Sequence, residues 1–276
     1  MKMIVNFTPT GMIPTKEMTP HVPVTVNEIV DDVLQANEIG ITTVHLHARD
    51  PLLHTPTSDP LVYQEIICGI RKYAPDLAIC VSTSGRHENG FNVRSQVLQL
   101  KSNVKPDMAS LTLGSLNFNR EVSINDPETI KQLAQEMIDK NIKPELEIFD
   151  IGMVNYIKYI IGKKLLTPPL YVNLILGNVA CAQVTPLHIG IILSELPDCL
   201  WSIGGVGDFQ LMANSLSIAI GGGVRVGLED NIWYDQGRTK LATNAELLKR
   251  IHVIAKANGR EIMTPIEFRK KMKLCN

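Results

Sequence analysis

No run of roughly 18 uncharged apolar residues occurs anywhere in the sequence, and without one a membrane-spanning helix is not expected. Charge of neither sign dominates: 27 Lys and Arg face 28 Asp and Glu, and basic residues gather only in the last few positions. Proteins of nucleic acids or membrane surfaces need a positive field, so both classes are disfavoured. Cysteine is scarce. Cys68, Cys80, Cys181, Cys199 and Cys275 are an odd number at wide spacings with no Cys-x-x-Cys pair, which argues against a disulfide framework. Four of them sit in apolar surroundings such as Leu77-Ala78-Ile79-Cys80 and read as small buried hydrophobes in a reducing, cytoplasmic compartment. The opening Met1-Lys2-Met3-Ile4-Val5-Asn6-Phe7 lacks the long apolar run and small-residue site of an export signal and reads as a first strand.

What is present is the balance of a globular chain, 45% hydrophobic and 20% charged. Short β-rich runs recur at Met3 to Thr8, Thr42 to Leu46, Leu77 to Ser82, Met108 to Leu113, Pro144 to Ile148, Tyr171 to Leu176, Leu200 to Ile203 and Gly223 to Val226. Amphipathic stretches lie between them, and their starts carry caps. Thr25 with Glu28 forms a capping box, and Asp59-Pro60, Asp126-Pro127 and Thr185-Pro186 each place a capping side chain before a proline at the first helical position. Asn244-Ala245-Glu246 opens what reads as the last helix. Eight strand-then-helix units with no dividing linker match a single-domain (β/α)8 TIM barrel spanning 1–276, with an open doubly wound sheet as the alternative.

Two glycine-rich places do not change this reading. Trp201-Ser202-Ile203-Gly204-Gly205-Val206-Gly207-Asp208 lies late in the chain and lacks the spacing of a dinucleotide fingerprint. Gly221-Gly222-Gly223 precedes a strand and reads as a tight turn. The long loop over 10–24, which holds Pro14, Pro20 and Pro23, follows the first strand and is placed to form a lip over a barrel mouth.

The sharpest signal is Val44-His45-Leu46-His47-Ala48-Arg49-Asp50. Residues two apart on a strand face one side, about 6.6 Å apart along the backbone, so His45 and His47 can reach one metal ion. They would point into the barrel mouth, where aliphatic side chains are the rule. At the end of the eighth strand, Glu229 can complete a three-ligand site and Asp230 can act as a base, with Arg225 holding Asp230 or a substrate carboxylate. Polar groups stand at other strand ends: Ser82, Thr83, Ser84, Gly85 and Arg86 after strand three, Thr112, Gly114 and Ser115 after strand four, Glu147 near the end of strand five, and Gly177-Asn178 after strand six. His87 is a candidate to line the mouth, while His54, His188 and His252 read as surface or core residues.

Thr43 to Asp50 together with Gly223 to Asn231 resembles the β-keto acid cleavage enzymes, a family that includes the 3-keto-5-aminohexanoate cleavage enzyme. The resemblance continues through Ser82 to Gly85, Ala109 to Ser115, Trp201 to Gly205 and Asn244 to Leu247. It implies a (β/α)8 barrel, commonly tetrameric, that binds one divalent metal, usually zinc, and converts a β-keto acid and acetyl-CoA into acetoacetate and an acyl-CoA. On that resemblance His45, His47 and Glu229 hold the metal, Arg225 and Asp230 are the catalytic pair, and Ser82 helps hold substrate, with Thr83, Ser84, Gly85 and Thr112 around it. Some members place a glutamate in the loop after strand one. Here that stretch reads Gly11-Met12-Ile13-Pro14-Thr15, and the first carboxylate is Glu17. A neutral or acidic keto acid is therefore expected to outperform an amino-bearing one. The alternatives are a metal-dependent hydrolase or aldolase on the same barrel and a non-catalytic metal- or metabolite-binding protein. Hydrolases with a His-x-His pair also use histidines from strands five and six, and none is present there.

Overall fold

Apolar residues on the outward faces of eight short strands pack against helices, and closing the strands on themselves removes every exposed edge. In the computed structural model, which describes residues 2–87 and 89–274, the barrel strands are β1 (Val5–Phe7), β2 (Thr43–Leu46), β3 (Ala78–Val81), β4 (Met108–Thr112), β5 (Lys143–Ile148), β6 (Tyr171–Leu176), β7 (Leu200–Gly205) and β8 (Gly223–Val226). All neighbours are parallel, and the ring closes where Asn6 of β1 pairs with Thr43 of β2 on one side and Arg225 of β8 on the other. Cys275 lies outside the described residues. Val44, Leu46, Leu146, Ile148, Val224 and Val226 are fully or almost fully buried in the layer between strands and helices, which leaves their alternate neighbours facing the barrel interior.

The helices are α1 (Val26–Ile39), α2 (Pro60–Tyr73), α3 (Phe91–Arg94), α4 (Pro127–Asp139), α5 (Ile151–Gly162), α6 (Pro186–Glu195), α7 (Gln210–Ala219), α8 (Asn244–Ala257) and α9 (Pro265–Met272). Thr25, Asp59, Asp126 and Thr185 cap α1, α2, α4 and α6 through their side chains, as their positions predict. At α8 the reading is corrected: Thr243 is the cap and forms a capping box with Glu246. Asn244 is freed for a tertiary role, accepting from Leu228 N and donating to Pro9 O and Asp32 Oδ2. The third unit also departs from the pattern, because α3 is a single turn followed by two 3-10 turns. Its residues are spent on Arg94, a buried guanidinium that donates to Thr83 O, Ile124 O and Asn125 Oδ1 and so braces the loop after β3.

A ninth helix, not expected, follows Thr264-Pro265-Ile266-Glu267, which repeats the cap signatures of α1 and α4. It closes the end of the barrel opposite the strand carboxyl ends, where Phe268 and Met272 pack with Ile4, Ala78, Cys80, Met108, Tyr171 and Met263. Cys80 is buried there, Cys181 and Cys199 are partly covered and Cys68 is exposed, so burial holds fully for one of these four. No described helix is long and apolar enough to cross a membrane.

Candidate metal and active site

Three side chains, from β2, from the residue just beyond it and from the turn after β8, converge at the carboxyl end of the barrel. The Nε2 atoms of His45 and His47 are 3.2 Å apart, and Glu229 Oε1 is 3.3 Å from His47 Nε2. One ligand atom from each of the three falls within a 4.8 Å span. Glu229 Oε2 is buried without a hydrogen-bond partner. Three convergent donors and an unsatisfied carboxylate oxygen fit a divalent cation with an open coordination position. Beneath them Glu145 of β5 contacts His45 Nδ1 at 2.7 Å, with its other oxygen accepting from Asn6 Nδ2 of β1 at 2.8 Å. The carboxylate orients the ring so that Nε2 faces His47, the usual outer partner of a metal-binding histidine.

The carboxylates around the pair favour positive charge here, carried by a proton on His45 or by a cation that displaces it. Burial alone would lower both imidazoles, yet the charges of Glu145 and Glu229 outweigh it at His45 and lift that ring to about 9. At His47 burial prevails and the ring falls to about 4, leaving a neutral donor. Burial opposes ionisation of Glu229 as well, but Arg225, His47 and His45 hold its carboxyl well below the usual range.

Arg225 of β8 is the hub of the carboxylates. Its Nε donates to Asp230 Oδ2 at 3.0 Å and its Nη2 to Glu229 Oε1 at 2.6 Å, while Nη1 lies 3.6 Å from Glu147 Oε1. Burial lifts the Asp230 carboxyl to about 6 against the pull of Arg225, and the Glu229 charge adds to the lift. A carboxylate so placed is a base with a proton affinity near the operating range of an enzyme. The turn that presents both carboxylates depends on two glycines. A Cβ on Gly227, at φ 159°, would meet Thr8 O at 2.0 Å, and one on Gly11, at φ 64°, would meet Glu229 Cγ at 2.5 Å. Arg49 then ties the loop containing Gly11 to the segment that follows β2, donating to Pro14 O at 2.9 Å.

These groups lie in or just below the floor of a cavity of about 460 Å³ whose lining includes His47, Ser82, Ser84, Thr112, Glu147, Arg225, Glu229 and Asp230. The rest of its lining is mixed: Met12, Ile13, Pro14 and Met18 come from the loop after β1 and Ile232 and Trp233 from the loop after β8, with Arg86, Arg120, Glu121 and Arg238 among them. Thr112 donates to Glu147 Oε2 at 2.7 Å. Asn178 also lines the cavity. Thr83 and Gly85 do not: Thr83 Oγ1 donates to Ser110 O at 2.6 Å, and Gly85 is pressed against Ile124 O and Arg94. Their part is to set the path of the loop between Ser82 and Arg86. Ser115 accepts from Asn125 N and shapes the neighbouring loop. His87 and Glu17 are exposed and outside the lining, and Arg86 takes the place expected of His87. Glu145 and Asn6 were given no part in the sequence reading. Glu145 and Glu147 obey the same two-residue spacing as His45 and His47, so that signal was available on β5.

The family model for beta-keto acid cleavage enzymes matches residues 2–274. The chain is 36% identical over 276 residues to the 3-keto-5-aminohexanoate cleavage enzyme of Fusobacterium nucleatum, covering 99% of this chain and 98% of that one. It is 34% identical to the 3-oxoadipate:acetyl-CoA acetyltransferase of Cupriavidus necator, covering 96% and 93% respectively. Among solved structures, the binary complex of ObcA with oxaloacetate matches with a TM-score of 0.83 over 93% of this chain and 68% of that chain, at 19% identity, a likeness of fold. The chain belongs to the beta-keto acid cleavage enzyme family.

Proposed function

We propose that the protein is a divalent-metal-dependent acyltransferase that converts a β-keto acid and acetyl-CoA into acetoacetate and the acyl-CoA of the remaining group. The observation that carries this reading is the meeting of His45, His47 and Glu229 with the Arg225–Asp230 pair at one cavity floor. Names of relatives that transfer acetyl groups from acetyl-CoA support the co-substrate. His45, His47 and Glu229 would hold the metal, with zinc the choice that two imidazoles and a carboxylate favour. When bound, such an ion supplies positive charge that stabilises an enolate oxygen.

Asp230 takes a proton from C2 of the keto acid, and Arg225 orients it through the Nε and Nη2 contacts. The C2 carbanion attacks the thioester carbonyl of acetyl-CoA, forming a carbon-carbon bond and releasing CoA thiolate. The thiolate adds to the former keto carbon, the bond from that carbon to C2 breaks, and acyl-CoA leaves. The C2 carbanion of acetoacetate recovers a proton from Asp230. Ser82 and Ser84 offer hydroxyls to the keto acid carboxylate, while Thr112, whose proton goes to Glu147, holds that side chain in place. No carboxylate of the loop after β1 lines the cavity, which supports a neutral or acidic keto acid.

A homotetramer in the cytoplasm completes the reading: exposed Ile151 and Tyr159 on α5, Leu187 and Ile191 on α6, and Leu211 and Met212 on α7 offer apolar surface for contact between subunits, though they do not set the number. The test of the reaction is to incubate the metal-loaded protein with acetyl-CoA and a panel of β-keto acids and to assay acetoacetate. Acetoacetate formed in proportion to acyl-CoA is expected, and acetate formation without acyl-CoA would instead make the protein a hydrolase.

A further inference from the structure

Arg86 enters the reaction cavity from the loop after β3, and its surroundings fix it in one plane. Its guanidinium lies over the ring of Phe118, with Cζ 3.6 Å from the centroid, and Phe118 is itself held edge-on by Phe149 at 5.9 Å. Arg86 Nε stands 3.2 Å from Glu121 Oε1, and the arginine side chain is 15% exposed. Behind the loop, Arg94 grips Thr83 O and Ile124 O, so the backbone that carries Arg86 is braced too. The two Nη groups have no hydrogen-bond partner among the described residues, although Arg86 lines the cavity. Glu121 Oε1 is buried and already faces Nε, so it is closed to a ligand.

A stacked guanidinium with two parallel donors to spare is the fork that a carboxylate matches. The reacting end of the cavity has its own arginine in Arg225, engaged by Asp230 and Glu229, and its own hydroxyls in Ser82 and Ser84. We propose that Arg86 is a specificity residue that selects β-keto acids bearing a second carboxylate on the side chain. This rests on the keto acid reading of the same cavity and names its substrate class. Arg86→Met keeps the stem over Phe118 and removes the fork.

The test compares the unmodified protein, Arg86→Met and Arg86→Lys on two β-keto acids of equal length, one ending in a carboxylate and one in a methyl group. Arg86→Met is expected to lower kcat/KM for the dicarboxylate roughly 10- to 100-fold and for the methyl-ended acid less than about threefold. Arg86→Lys should recover part of the loss, and KM for acetyl-CoA should not move. Equal losses on both acids would place Arg86 on the reacting carboxylate and overturn the proposal, as would a rise confined to the acetyl-CoA KM. A second arm uses calorimetric titration of the metal-loaded protein with adipate and hexanoate in the absence of acetyl-CoA. Preference for adipate that disappears in Arg86→Met supports the carboxylate site even where no keto acid turns over, in which case the reaction assignment alone fails. Equal affinity of the unmodified protein for both acids would overturn it.

Discussion

Glu145 Oε1 lies 2.7 Å from Nδ1 of His45, across the barrel interior and shielded from water. That contact sets which ring nitrogen of His45 faces His47 and Glu229. Glu145→Gln keeps the shape but loses the charge, so affinity for zinc is expected to fall about 10- to 100-fold with the fold retained. Metal titration against a competing chelator measures it, and an unchanged affinity would remove Glu145 from the site.

Removing a proposed ligand itself should have a larger effect. His45→Ala or His47→Ala is expected to purify without bound metal while keeping its circular dichroism spectrum, because a chain of this size has enough buried core without a staple. Elemental analysis decides it. Full metal occupancy in both variants would refute the ligand assignment.

What could be read in advance divides along the range of the interactions. Local rules sufficed for the strands, four of the caps and the same-face pair His45 and His47. They failed where a local signal competes with a tertiary one: Asn244 has the chemistry of a cap, but its amide is claimed by Pro9, Leu228 and Asp32, and Thr243 caps instead. The bond from Asn6 to Glu145 joins β1 to β5 across the closed ring, and no spacing within either strand announces it. Thr83 and Gly85 sat in the right stretch, yet the brace by Arg94 turns them away from the cavity. The helix α9 was legible from Thr264, Pro265 and Glu267 by the same rules that found α1 and α4.

Phe268 of α9 is fully buried and stands edge-on to Tyr171, with ring centroids 5.5 Å apart. Phe268→Ala is expected to cost about 3–5 kcal/mol of stability through the cavity it leaves. Urea denaturation reads this directly. None of the three proposed ligands belongs to the cluster around Phe268, so the metal content of the folded variant should be unchanged.

Asp32 gives a pH dependence separate from that of the proposed metal ligands. Burial raises its carboxyl from 3.8 to about 6, opposed by the hydrogen bond from Asn244. An acid raised in the folded state favours folding while protonated, so its contribution is complete below 3.8 and is lost as pH climbs through about 6. Asp32→Asn should therefore gain stability at neutral pH, of order 1–3 kcal/mol, and flatten the pH profile over that window. Denaturation midpoints at acid and neutral pH test it, and a variant with the same slope as the unmodified protein would contradict it.

The assignment of proton abstraction to Asp230 is central, and exchange of the C2 protons of a β-keto acid with deuterated water, without acetyl-CoA, measures it most directly. The metal-loaded protein should exchange them well above the spontaneous rate. Asp230→Asn should bind metal normally and exchange them slower by roughly two to four orders of magnitude. Exchange by Asp230→Asn as fast as by the unmodified protein would show that another group is the base.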